Sequence, residues 1–206
     1  MIPVNSLEKS EVWHSMYRGF TFEIRKWKHN YPESLLERYI RDPMYSTYNW
    51  NYYVYFNDRQ IPKHLQREFI LKGDLKQVNG HRPYYSYNEY NHTISRLEWH
   101  GGITFYKLST NFHGNKVAQA GCDYSHSFDM EKREYVEYWL EDILCDVQGT
   151  IDSAHELSPD FGIFCLICGE YLPEREGKYI NEHKSDFKCN NCIEKDMKKT
   201  ESEVKE

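Results

Sequence analysis

The sequence predicts an α+β protein: a small mixed domain with a mainly antiparallel sheet and one long amphipathic helix, followed by a C-terminal zinc-ribbon or treble-clef-like unit. Three observations carry this. Phe20, Phe22 and Ile24, and then Tyr48, Trp50, Tyr52, Val54 and Phe56, alternate with more polar residues, the two-residue period of a half-buried strand. Tyr135, Trp139, Ile143 and Val147 recur at four-residue spacing, the mark of one apolar helix face. Two Cys-x-x-Cys pairs, Cys165/Cys168 and Cys189/Cys192, enclose twenty residues, a spacing that suits one tetrahedral metal ion. The chain divides into a main domain over 1–155, a zinc-binding unit over 161–196 and a polar tail over 197–206.

Taken in order, Gly19 to Trp27 reads as the first strand. Pro32 to Ile40 reads as a short helix, opened by a first-turn proline and closed before Pro43. Tyr48 to Phe56 is the second strand, and Asn57-Asp58 turns the chain. Ile61, Leu65 and Phe69 place a helix over Pro62 to Lys72, with Gly73 as its C-cap. The polar, Tyr-rich stretch from Asn79 to Asn91 is a long loop. Strands follow at Ile94 to Trp99, Ile103 to Leu108 and Lys116 to Cys122, with a turn at Asn111 to Asn115. The long helix is expected from Asp129, its N-cap, to Gln148, with Gly149 ending it. Thr150 to Asp160 is then a polar connection.

Composition narrows the function classes. The formal net charge is −6, and no strong basic patch is present. Binding to nucleic acid depends on Lys and Arg neutralising phosphates, so nucleic acid is a disfavoured partner. Arg25-Lys26-Trp27-Lys28 is short enough to be a solvated strand end. The start of the chain lacks a basic segment followed by an apolar one, and no apolar run approaches the length of a transmembrane helix. A cytoplasmic protein with no membrane contact is expected, and the paired cysteines suit metal in a reducing compartment. The aromatic share of 16% builds a core from large pieces and also offers stacking surfaces.

Four thiolates close the coordination shell of zinc and leave no position for water or substrate. The zinc expected at Cys165, Cys168, Cys189 and Cys192 is therefore structural. His183 lies between the pairs and could stand in for one cysteine, although a solvated hairpin position suits it better. Glu170, Glu174, Glu176 and Glu182 offset Arg175, Lys178 and Lys184 around the unit, which favours protein contact or plain support over phosphate binding.

The main domain concentrates its polar signal in two segments. His100-Gly101-Gly102-Ile103-Thr104-Phe105 carries a glycine pair at a strand junction, and Gly121 to Asp129 carries Asp123, His126 and Asp129 between a strand end and a helix start. Such junctions favour anions, because unpaired N–H groups and the helix dipole meet there. If the strands lie side by side, His100, Asp123, His126 and Asp129 could converge on a small anionic ligand or a divalent metal, or supply a base oriented by a carboxylate. The structural alternative has Asp129 as an N-cap, Asp123 and His126 fixing a turn, and His100 satisfied in the core. Cys122 and Cys145 read as core residues.

The same two segments resemble an uncharacterised family of phage and prophage proteins. Its members carry His-Gly-Gly-(Leu/Ile)-Thr-(Tyr/Phe), matched by His100 to Phe105, and Gly-x-Asp-x-x-His-x-x-Asp, matched by Gly121, Asp123, His126 and Asp129. The resemblance reaches back weakly to Asn49–Val54, covers about the central half of the chain and leaves the zinc unit out. Where members have Gly-His-Pro, this chain has Arg59 to His64. The resemblance implies a viral context, hence the host cytoplasm, and a small accessory protein acting on host processes. Three functions follow: binding of a small anionic, nucleotide-like ligand at His100, Gly101, Gly102, Thr104, Asp123, His126 and Asp129; metal-dependent phosphoester hydrolysis by His100, Asp123, His126 and Asp129; or contact with a host protein through the zinc unit or the loop from Tyr84 to Tyr90.

Overall fold

The computed structural model describes residues 10–28, 48–71, 92–124 and 138–203. The expected helix at 32–40, the loop at 79–91, His126 and Asp129 lie outside them. Strands β1 (Ser10–Tyr17), β2 (Phe20–Lys28), β3 (Tyr48–Asn57), β4 (Phe105–Thr110) and β5 (Lys116–Asp123) form one antiparallel sheet in the order β1-β2-β3-β5-β4. Strand alternation sorts its side chains onto two faces. Phe20, Phe22, Tyr52, Val54, Phe56 and Ala120 are buried on one face. Glu23, Asn51, Tyr53, Tyr55, Gln119 and Asp123 share the other, as the registers Glu23↔Tyr53, Tyr55↔Gln119 and Asn51↔Asp123 require.

The apolar face is covered by the long helix, and here the structure corrects the expected boundaries. The helix runs over Leu140–Leu157 and passes straight through Gly149; Tyr138 and Trp139, expected inside it, are not helical, and residues 129–137 lie outside the described ones. Asp142, in the first turn, accepts the backbone N–H of Trp139 at 2.9 Å and fixes the start there. The apolar stripe of Ile143 and Val147 continues in Ile151 and Ala154, all fully buried. Burial of that stripe outweighs the roughly 1 kcal/mol cost of one interior glycine. The segment read as a polar connection is thus mostly helix. Trp139, placed on the stripe by spacing, is exposed just outside the helix.

Two shorter elements also differ. The helix expected over Pro62 to Lys72 shrinks to α1 (Gln66–Phe69), the long helix being α2. The Tyr106 hydroxyl donates to the Phe69 carbonyl (3.0 Å) and accepts the Leu71 N–H (2.8 Å), so a side chain replaces the next turn of the helix. Thr93–Arg96 is a 3-10 turn rather than a strand. Its Ile94, with Leu97 and Trp99, forms an apolar plug, and the Trp99 indole donates to the Ile94 carbonyl at 2.7 Å.

After α2 come two small hairpins, β6 (Gly162–Phe164) with β7 (Tyr171–Pro173) and β8 (Gly177–Tyr179) with β9 (Phe187–Cys189), then helix α3 (Asn190–Glu203). A helix opening between the second pair of cysteines is the treble-clef-like arrangement. This unit is bonded to the sheet. The Arg18 N–H donates to the Lys184 carbonyl and the Gly162 N–H to the Gln60 carbonyl, both at 2.8 Å. The Arg18 guanidinium bridges Asp152 of α2 and Glu174 of the C-terminal unit. No helix among the described residues is long and apolar enough to cross a membrane.

Candidate functional site

The C-terminal unit gathers the four cysteines. The sulfurs of Cys165, Cys168, Cys189 and Cys192 all lie within 4.8 Å of one another, and none is in a disulfide. Cys165 and Cys168 sit in a tight turn closed by the Gly169 N–H on the Cys165 carbonyl at 2.9 Å. Cys189 ends β9, and Cys192 lies one turn into α3. The Cys168 and Cys189 sulfurs are 3.8 Å apart. A tetrahedron with metal–sulfur bonds of about 2.3 Å has edges of about 3.8 Å, so the spacing is that of a metal-ligating set.

The electrostatics agree. Burial pushes the Cys165 thiol up, but N–H groups of Cys168, Cys189 and Ile167 overrule it and bring the thiol down to about 6. Cys192 is pushed up to about 12, first by Cys189 and then by burial. Thiols this close resist accumulating negative charge, and a bound cation removes that resistance. Among the described residues, this quartet is the only group of three or more side chains able to hold a metal ion.

The main domain builds a second polar centre around His100. The Tyr52 hydroxyl accepts the His100 backbone N–H at 3.2 Å and shares a hydrogen bond with the Thr150 hydroxyl at 2.8 Å. The Thr150 hydroxyl also donates to the Glu98 carbonyl at 2.6 Å, which ties this stretch of chain to α2. His100 Nδ1 lies 3.2 Å from Asp146 Oδ2, and the Tyr124 hydroxyl donates to the same oxygen at 2.6 Å. The imidazole stacks on Tyr124 at 3.9 Å between centroids and meets the edge of Tyr138 at 5.5 Å. Burial pushes the Asp146 carboxyl up, but its bonds to His100 and Tyr124 outweigh this and hold it below its ordinary value. Burial, then Asp146, pushes the Tyr124 phenol upward. An imidazole clamped by a carboxylate and an aromatic face presents one fixed orientation.

Several residues of this centre were not singled out from the sequence. Asp146, Tyr124 and Tyr138 supply the carboxylate and the rings that His100 touches. Asp123 is buried at the end of β5, and the register with Asn51 puts it on the sheet face opposite Cys122 and Tyr124. Cys122, buried beside Tyr52, is pushed up by burial, which suits a core thiol. Gly101 and Gly102 take φ of 65° and 97°, a left-handed turn that residues with a Cβ adopt at a cost. The Thr104 N–H donates to the Gly121 carbonyl at 2.9 Å, joining the two polar segments at the sheet edge.

Comparison with protein-family models, with curated proteins and with solved structures gives no match. The class that fold and sites define is an α+β domain joined to a unit whose four cysteines are placed to hold a metal ion.

Proposed function

We propose that this is a phage-type accessory protein whose main domain binds a small anionic, nucleotide-like ligand and acts on host processes, while a structural zinc ion holds its C-terminal unit together. The observation that carries the ligand reading is the His100–Asp146–Tyr124 cluster. It combines an oriented imidazole, a stacked ring and a glycine turn through which a ligand can approach the backbone. The motif resemblance at His100 to Phe105 and Gly121 to Asp129 supports the viral setting. Zinc suits the quartet because four thiolates at this spacing form a closed tetrahedral shell.

Titration calorimetry with nucleoside mono- and triphosphates tests the ligand reading. Saturable binding of at least one, weakened at least tenfold in Asp146→Asn and in His100→Gln, is expected. No heat with any of them, or affinities unchanged in both variants, sinks it. Metal analysis of the purified protein should find one equivalent of zinc. Iron, with the visible absorption of iron–thiolate charge transfer, would overturn that assignment.

A further inference from the structure

A second binding position lies far from His100 along the sheet, on its opposite face. A cavity of about 410 Å³ opens where the sheet meets the C-terminal unit, lined by residues including Thr21, Tyr55, Asn57, Gln60 and Tyr171. That volume suits a small organic ligand. Among the described residues its lining holds no Asp, Glu, Lys or Arg and one histidine, His14.

Two carboxamides in this wall are fixed with opposite polarity. Asn57 Oδ1 accepts the Arg59 backbone N–H at 3.0 Å, which orients the amide and leaves Nδ2 as its donor. Gln60, 3% exposed, donates from Nε2 to the Gly19 carbonyl at 2.9 Å, which leaves Oε1 as its acceptor. Among the described residues, Asn57 Nδ2 and Gln60 Oε1 have no hydrogen-bond partner. The Gln60 N–H bonds the Asn57 carbonyl at 2.9 Å, so one turn of chain presents both amides. Neither atom is among the sealed, unpartnered ones, so both are open to a ligand, and a donor beside an acceptor is the pattern that a nucleobase edge complements.

The remaining walls fit the same ligand. Tyr171 offers an aromatic ring, pinned by the Arg59 guanidinium 5.3 Å from its centroid, and Arg59 in turn lies 3.6 Å from Glu170. Bases stack on such rings. Beside the cavity, the buried Glu23 carboxylate accepts from the Tyr55 hydroxyl at 2.9 Å and pairs with Arg25. His14, which also lines the cavity, lies 3.7 Å from that carboxylate, and the Glu23 charge disfavours a phosphate.

We propose that this cavity binds an uncharged nucleobase or nucleoside, with its hydrogen-bonding edge on Asn57 and Gln60 and its ring against Tyr171. The site shares no residue with the His100 cluster, so either can fail without the other. Adenosine, guanosine, cytidine, uridine and ribose are titrated into the full chain by calorimetry. At least one nucleoside should bind saturably, with ribose at least tenfold weaker. Asn57→Asp keeps the acceptor for the Arg59 N–H and removes the donor, so it should weaken binding at least tenfold without changing the melting temperature appreciably. Tyr171→Leu should weaken it as well, and His100→Gln should leave it unchanged. No saturable binding, ribose binding as tightly as the nucleosides, undiminished binding in Asn57→Asp, or parallel loss in His100→Gln would each overturn the proposal.

Discussion

The cysteine quartet and the His100 cluster are built in opposite ways. The quartet's ligands come in two local pairs, each inside one turn, and the gap between pairs carries the chain from the first small hairpin into the second. The His100 cluster takes its carboxylate from the middle of α2 and its stacked ring from just beyond β5. In the quartet the chemistry organises the fold around it, since hairpins of three-residue strands cannot bury enough apolar surface to stand alone. In the His100 cluster the fold organises the chemistry. A five-stranded sheet and a helix must already be in place before Asp146 meets His100.

That contrast is broken most directly by removing the metal ligands. Cys192→Ser, or a strong chelator, should unfold 161–203 while β1 to β5 and α2 keep their structure, because the structural zinc proposed for the quartet would contribute about 10–16 kcal/mol of apparent binding free energy. Hydrogen exchange would show protection lost in β6 to β9 and α3 and kept in β2, β3 and α2. Global collapse would mean that Arg18, bonded to both Asp152 and Glu174, makes the two parts one cooperative whole.

A smaller effect is expected at the other pole. Tyr52→Phe removes the hydroxyl shared by Thr150 and the His100 N–H from a fully buried position. Stranding buried partners costs about 1–3 kcal/mol, measurable as a lower urea midpoint at constant slope. Metal content should not change. An unaltered midpoint would mean that the hydroxyl network does not hold the His100 turn against α2.

The same contrast explains what the sequence made legible. Local patterns read well: β2, β3 and β5 fall within a residue or two of the alternation, and the cysteine spacing identified the quartet. Propensity and capping signals misread α2, because the decision lies in tertiary burial of Ile151 and Ala154, beyond a glycine that local rules treat as a stop. Ile94 to Trp99 is apolar because it plugs the core rather than because it pairs in a sheet. Asp146 had no signal, since it is one of several acidic residues on the helix, and only the fold shows that it meets the His100 imidazole.

The smallest effect probes the seam between the two regions. His155, in the last turns of α2, lies with Nε2 3.1 Å from the Arg18 carbonyl and is 6% exposed. Burial, then the nearby Arg18 charge, lowers its pKa, against opposing contributions from its bond to the Arg18 carbonyl and from Glu174 and Asp152. An unfolded histidine titrates near 6.5, so as pH falls below that value the unfolded chain takes up the proton first. Stability contributed by neutral His155 is therefore complete above about 6.5 and is withdrawn as pH falls towards the folded value. Between pH 7 and 5 the wild type should lose stability more steeply than His155→Gln, whose amide N–H can still reach the Arg18 carbonyl. Protonation of the cysteines would also loosen any metal they hold on acidification, but it acts alike in both proteins and cancels in the difference. Equal slopes would show that the seam does not sense pH through this residue, and that acid weakens the molecule through its metal unit instead.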